Sequence, residues 1–116
     1  MSELLDLTTK ILSEKLAKDI VIMDMRQVSP YSDYYVICTA NNVRHASSLA
    51  DYVEEEVEKH GFHVRAKEGT GGSTWVLLDA EEVVVHIFTE ETRNVYRLEA
   101  LWADQPQTHY EESIDR

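Results

Sequence analysis

Val83-Val84-Val85-His86-Ile87-Phe88 is the stretch that decides the fold. Its apolar residues are continuous rather than alternating, the mark of an interior strand with material on both faces. Just before it, Thr74 to Asp79 is a second β-type run, and Ala80-Glu81-Glu82 between the two is short enough to be the turn of a hairpin. A buried strand of this kind needs helices over the sheet, and the clearest helix follows Asn42, a residue suited to cap it. Val43, Ala46, Ala50, Val53 and Val57 recur at spacings of three and four, while Asp51, Glu54, Glu55 and Glu58 fall off that stripe and Gly61 ends it.

Working outward, Leu4, Leu7 and Ile11 with Leu5, Leu12 and Leu16 mark a first amphipathic helix over about 3–17, with Ser2 as its N-cap. Two β-type runs follow at 20–25 and 34–39, joined by a polar connection that contains Ser29-Pro30-Tyr31-Ser32-Asp33. Phe62 to Ala66 reads as a short strand, and Lys67-Glu68-Gly69-Thr70-Gly71-Gly72-Ser73 as a mobile connection. Thr89 caps a last helix with Glu90 and Glu91 in its first turn and Val95, Leu98, Leu101 and Trp102 as its apolar stripe. The expected order is α-β-β-α-β-β-β-α: a single α/β domain over residues 1–103, with three helices on a mixed sheet of about five strands. Residues 104–116 read as an acidic, polar, frayed tail. Three helices do not readily cover both faces of such a sheet, so part of one face is expected to stay open for a partner.

The 116 residues carry 11 Lys+Arg against 22 Asp+Glu, a net charge of −11. That excess of acid repels phosphate backbones, and no basic stripe offsets it, so a basic protein surface is the easier partner than nucleic acid. A hydrophobic fraction of 43% with four Gly and two Pro is enough for one core and excludes a disordered or collagen-like chain. Cys38 is alone and sits within an apolar run, as a buried thiol in a reducing compartment does. The acidic start Met1-Ser2-Glu3-Leu4-Leu5-Asp6 has neither a basic leader nor a long apolar segment, so a cytoplasmic protein of bacterial type without a membrane span is expected.

No catalytic set emerges. The glycine-rich run 68–74 lacks the Gly-Lys-Ser/Thr ending and the following helix of a phosphate loop. His45, His60, His63, His86 and His109 have no metal-ligand spacing, and no cofactor is expected. Asp24 and Asp33 form no Asp-x-Asp pair for two-metal chemistry, and no serine sits in a Gly-x-Ser-x-Gly setting. His86 interrupts a strand, where an imidazole is either hydrogen-bonded within the sheet or turned to a binding surface. Trp102 continues a helix stripe and reads as core, whereas Trp75, opening a strand after the glycine run, suits core and interface equally.

Several segments taken together resemble the ribosomal silencing factor (Iojap-like, YbeB) family. They are Asp33-Tyr34 leading into Val36-Ile37-Cys38-Thr39, then Arg44-His45, Ala50-Asp51, Glu68-Gly69, Trp75 with Asp79, the run 83–88, Arg93, and Tyr96-Arg97-Leu98-Glu99-Ala100-Leu101-Trp102. Ala40 in place of a glycine, Arg97 in place of a polar or acidic residue, and Ser73-Thr74 at the end of the glycine run depart from the family pattern.

The resemblance implies a nucleotidyltransferase-like fold without catalysis. It further implies a factor that docks on the large ribosomal subunit at its fourteenth protein, blocks joining of the small subunit, and so lowers translation when nutrients are scarce. By the same resemblance Trp75 is the anchor, Glu68, Asp79 and His86 are polar contacts near it, and Tyr96, Glu99 and Trp102 form a second patch. Two other readings stand beside it: a nucleotide-binding or nucleotidyltransferase-like enzyme, and a large-subunit assembly factor. An apolar docking face open in the free protein could also pair with its own copy as a homodimer.

Overall fold

The computed structural model describes residues 2–110. Helix α1 (Glu3–Glu14) starts where expected, with the Ser2 hydroxyl accepting the Leu5 N–H at 2.9 Å. Helix α2 (Val43–Lys59) starts in the same way, the Asn42 carboxamide oxygen accepting from the His45 N–H at 2.8 Å. Strands β1 (Lys18–Asp24) and β2 (Tyr34–Ala40) precede α2. After it come β3 (Ala66–Glu68), the hairpin β4 (Trp75–Ala80) and β5 (Val83–Thr89), then α3 (Glu90–Tyr96), α4 (Leu98–Leu101) and β6 (Gln107–His109).

The sheet has six strands in the order β3-β4-β5-β2-β1-β6. β2 and β5 run parallel at its centre and every other pair is antiparallel. This central pair explains the lack of alternation in the run: Val83, Val85 and Ile87 face one side while Val84, His86 and Phe88 face the other, and all six are buried. α2 lies across β4, β5 and β2, with α1 beside it against β1. Between the helices and that face is an aliphatic core that includes Leu5, Leu12, Leu49, Val53, Val36, Leu78 and Ile87. Leu49 joins the α2 stripe, and Val43, at the exposed first turn, falls outside it.

Three expectations are corrected. The short strand forms at 66–68 rather than 62–66, because Phe62 and Val64 pack into the core from an irregular segment and pairing begins only where Ala66 meets Asp79. The last helix is not continuous: Arg97 adopts the left-handed conformation (φ 49°), separating α3 from α4. This break turns Val95 and Leu101, 75% and 65% exposed, away from the sheet, while Leu98 and Trp102 keep their place against it. The tail expected to fray supplies β6, which pairs its backbone with the open edge of β1, and Tyr110 then packs on the core. Residues 111–116 of that tail lie outside the described residues.

Candidate functional site

Opposed residues of neighbouring strands project to the same face, so the register alone decides which side chains meet. Glu68 stands opposite Leu77, Leu77 opposite His86, His86 opposite Ile37, and Ile37 opposite Val21. One row away Asp79 stands opposite Val84, and Trp75 opposite Phe88. Four of the seven expected site residues, Glu68, Trp75, Asp79 and His86, therefore share the face turned away from α1 and α2. α3 and α4 cover only its β5-β2-β1 half: Leu98 and Trp102 pack there with Val21, Met23, Met25, Ile37 and Phe88. Trp102 thus belongs to a core, as expected, but to a second and smaller one.

Where that cover ends, aromatic rings gather around Trp75. Its indole lies 4.9 Å from the Phe88 ring and 4.6 Å from Tyr96, and Tyr35 sits 4.7 Å from the His86 imidazole. Tyr96 is 53% exposed and reaches the cluster from the end of α3. A groove of about 470 Å³ runs beside these rings, lined by Glu68, Gly69, Ser73, Trp75, Leu77 and Tyr96 among others. Glu68, at one side, is exposed and has no ion pair among the described residues.

The groove wall is built by the glycine-rich run, which is tied down rather than loose. Ser73 Oγ donates to the Trp75 carbonyl at 2.9 Å and accepts the Trp75 N–H at 3.1 Å, and Ser47 on α2 donates to the Thr70 carbonyl at 2.8 Å. Gly69 is required here: its φ is +87°, and a Cβ would collide with the Trp75 carbonyl oxygen.

His86 lies beneath the cluster and is only 5% exposed. The Trp75 Nε1–H donates to its Nδ1 at 3.2 Å, so the imidazole proton must sit on Nε2, which is buried and has no hydrogen-bond partner among the described residues. Burial pushes the imidazole down to about 4, keeping it neutral.

The other two expected carboxylates, Asp79 and Glu99, each accept hydrogen bonds within the fold. Asp79 takes three hydrogen bonds from Arg65, at 3.0–3.1 Å, and one from the Glu81 N–H at 2.9 Å, which fastens the β3 edge and the hairpin turn. Glu99 accepts from Arg93 Nε and Nη2 at 3.0 and 2.8 Å. Arg93 Nη1 also donates to the Asp19 carbonyl and to Thr39 Oγ1, at 2.7 and 2.8 Å, so one guanidinium ties α3 and α4 to the ends of β1 and β2. Sequence reasoning gave Arg93 no role of its own. Its partners lie six, 54 and 74 residues away, and no local pattern announces them. Among the described residues no three or more His, Cys, Asp or Glu side chains converge as around a metal ion, and no helix is long and apolar enough to cross a membrane.

A family profile described as "Ribosomal silencing factor during starvation" matches residues 1–116. The chain belongs to the ribosomal silencing factor family. A Bacillus subtilis protein named as a ribosomal silencing factor is 37% identical over 93 residues, 80% of this chain and 79% of the relative. One from Halalkalibacterium halodurans is 32% identical across 94% of this chain and 93% of its own length. A mouse relative, "Mitochondrial assembly of ribosomal large subunit protein 1", is 27% identical over 84% of this chain but only 44% of that protein. Two crystal structures share this fold. One, from Bacillus halodurans, has a TM-score of 0.81 at 30% identity and covers 93% of this chain and 98% of that one. The other, from Chromobacterium violaceum, has a TM-score of 0.85 at 28% identity and covers 97% and 96%.

Proposed function

We propose that this chain represses translation by docking on the large ribosomal subunit through the Trp75–Tyr96 face and excluding the small subunit by its bulk. The observation that carries the reading is the half-covered sheet face, where α3 and α4 stop short and leave Trp75, Tyr96 and Leu77 beside an open groove. Partly exposed aromatic side chains in a pocket are the usual anchors of a protein interface. The net charge of −11 steers the domain toward a basic ribosomal protein, which by the family resemblance is the fourteenth of the large subunit. Trp75 and Tyr96 are the anchors and Glu68 supplies a free carboxylate at the groove, whereas Asp79, Glu99 and Trp102 hold the surface in shape. Occlusion needs residence time rather than chemistry, so no bound cofactor is invoked. The cytoplasm is where such a factor meets its partner, and in its absence the same rings could pair two copies of the chain.

The name of the mouse relative favours a second reading, action while the large subunit is assembled. Sedimentation of purified subunits mixed with the protein separates the two. Under the first reading the chain travels with mature large subunits and joined particles become fewer. Under the second it travels with immature particles and leaves joining intact. If it stays at the top of the gradient in both cases, docking fails for this chain.

A further inference from the structure

We propose that His86 is a positioning residue of the docking face: its Nδ1 lone pair holds the Trp75 indole in the orientation that walls the groove, and the imidazole itself does not touch the partner. The inference rests on the docking reading above. It starts from burial. With 5% of its surface exposed, beneath Tyr35, Trp75 and Phe88, His86 has no polar atom to offer a partner.

What it does offer is an acceptor to Trp75 Nε1, 3.2 Å away. Neutral imidazole has one acceptor nitrogen, so pointing Nδ1 at the indole leaves the buried Nε2–H without a partner among the described residues. A buried donor without a partner is unfavourable. A leucine or phenylalanine would fill this apolar row, between Leu77 and Ile37, without that penalty. Among the described residues the polar contact the imidazole makes is with the indole, so that contact is what a histidine achieves here and an apolar residue does not. Trp75 needs the constraint. Its ring lies at the edge of the α3–α4 cover, tilted against Phe88 and against the exposed Tyr96, and ring contacts alone do not fix which way the indole N–H points. The hydrogen bond selects one of the two faces, and an anchor fixed before binding loses less entropy on docking.

The test is a double-mutant cycle read by two signals, the indole proton resonance of Trp75, assigned with a Trp102→Phe variant, and the affinity for purified large ribosomal subunits. His86→Phe keeps the burial and removes the acceptor, His86→Asn keeps an acceptor at the δ position, and Trp75→Phe keeps an aromatic ring in place and removes the donor. His86→Phe should stay folded, move the indole resonance to that of an unbonded indole, and weaken docking about tenfold. His86→Asn should restore both signals most of the way. In the Trp75→Phe background His86→Phe should change affinity no further, the non-additivity expected when one residue acts through the other.

An indole resonance unmoved by His86→Phe would overturn the proposal, and so would a moved resonance with undiminished docking. An equal loss of affinity in the Trp75→Phe background would make His86 a direct contact instead. If the parent chain does not bind large subunits, the docking reading falls, while the indole resonance still decides whether His86 holds Trp75.

Discussion

The two faces of the sheet are built from different materials. Under α1 and α2 the side chains are almost all aliphatic, with no exposure at Leu5, Leu12, Leu49, Val53, Leu78 or Ile87, and the helices are capped and run 12 and 17 residues. On the opposite face two short helices, split by a strained Arg97 and fastened by Arg93, cover about half the sheet and leave aromatic rings at the boundary. A close-packed aliphatic layer maximises stability but presents nothing to bind. Aromatic rings with polar edges tolerate partial exposure and a partner equally well. Division of labour between the faces follows: one supplies folding free energy, the other a surface that can afford to be incomplete.

The largest effect should come from breaking the first face. Leu49→Ala removes a fully buried side chain between α2 and the sheet and should lower unfolding free energy by about 4 kcal/mol in denaturant titration. Affinity of the molecules that remain folded should be unchanged. A comparable loss of docking would mean that the faces are not independent.

The next effect concerns His86, whose ionisation is moved by burial from an ordinary 6.5 to about 4. Between those values the unfolded chain binds a proton that the folded chain does not, so stability rises with pH across that window and is lost as pH falls through it. The full span is about 3 kcal/mol. It should be read as the difference in acid sensitivity between the parent and His86→Phe, since carboxylates titrate over the same range in both. Equal slopes for the two would show that the second face does not hold the imidazole neutral.

A smaller effect sharpens the contrast in helix quality. Arg97 is an L residue at φ 49° at the C-terminus of α3, where glycine is favoured. Arg97→Gly should raise stability by about 0.5 kcal/mol, measured by thermal unfolding, because the break between α3 and α4 is already present. A loss instead would mean that the Arg97 side chain supports the cover.

These differences also explain what could be read from the chain. The first face is legible because its signals are local: Ser2 and Asn42 cap, the α2 stripe repeats at helical spacing, and the largely apolar run 83–88 marks a central strand. The second face is less legible. Gln107, Thr108 and His109 carry no strand pattern, since β6 exists only because β1 has an open edge. Nothing in Arg97 announces a break, as a glycine would have. Family resemblance points to Glu68, Trp75, Asp79 and His86, yet that one of them lies buried under another depends on strand register, which no single segment encodes.

The claim that binding belongs to the aromatic face and folding to the aliphatic one meets its most direct test in the doubly substituted chain Trp75→Ala, Tyr96→Ala. Its affinity for purified large ribosomal subunits should be measured at a temperature where circular dichroism shows it folded. The account expects binding at least about thirtyfold weaker, the scale of lost interface anchors, with the cooperative unfolding transition retained. An affinity within about twofold of the parent, with the fold intact, would contradict it, since a twofold change is well under 1 kcal/mol.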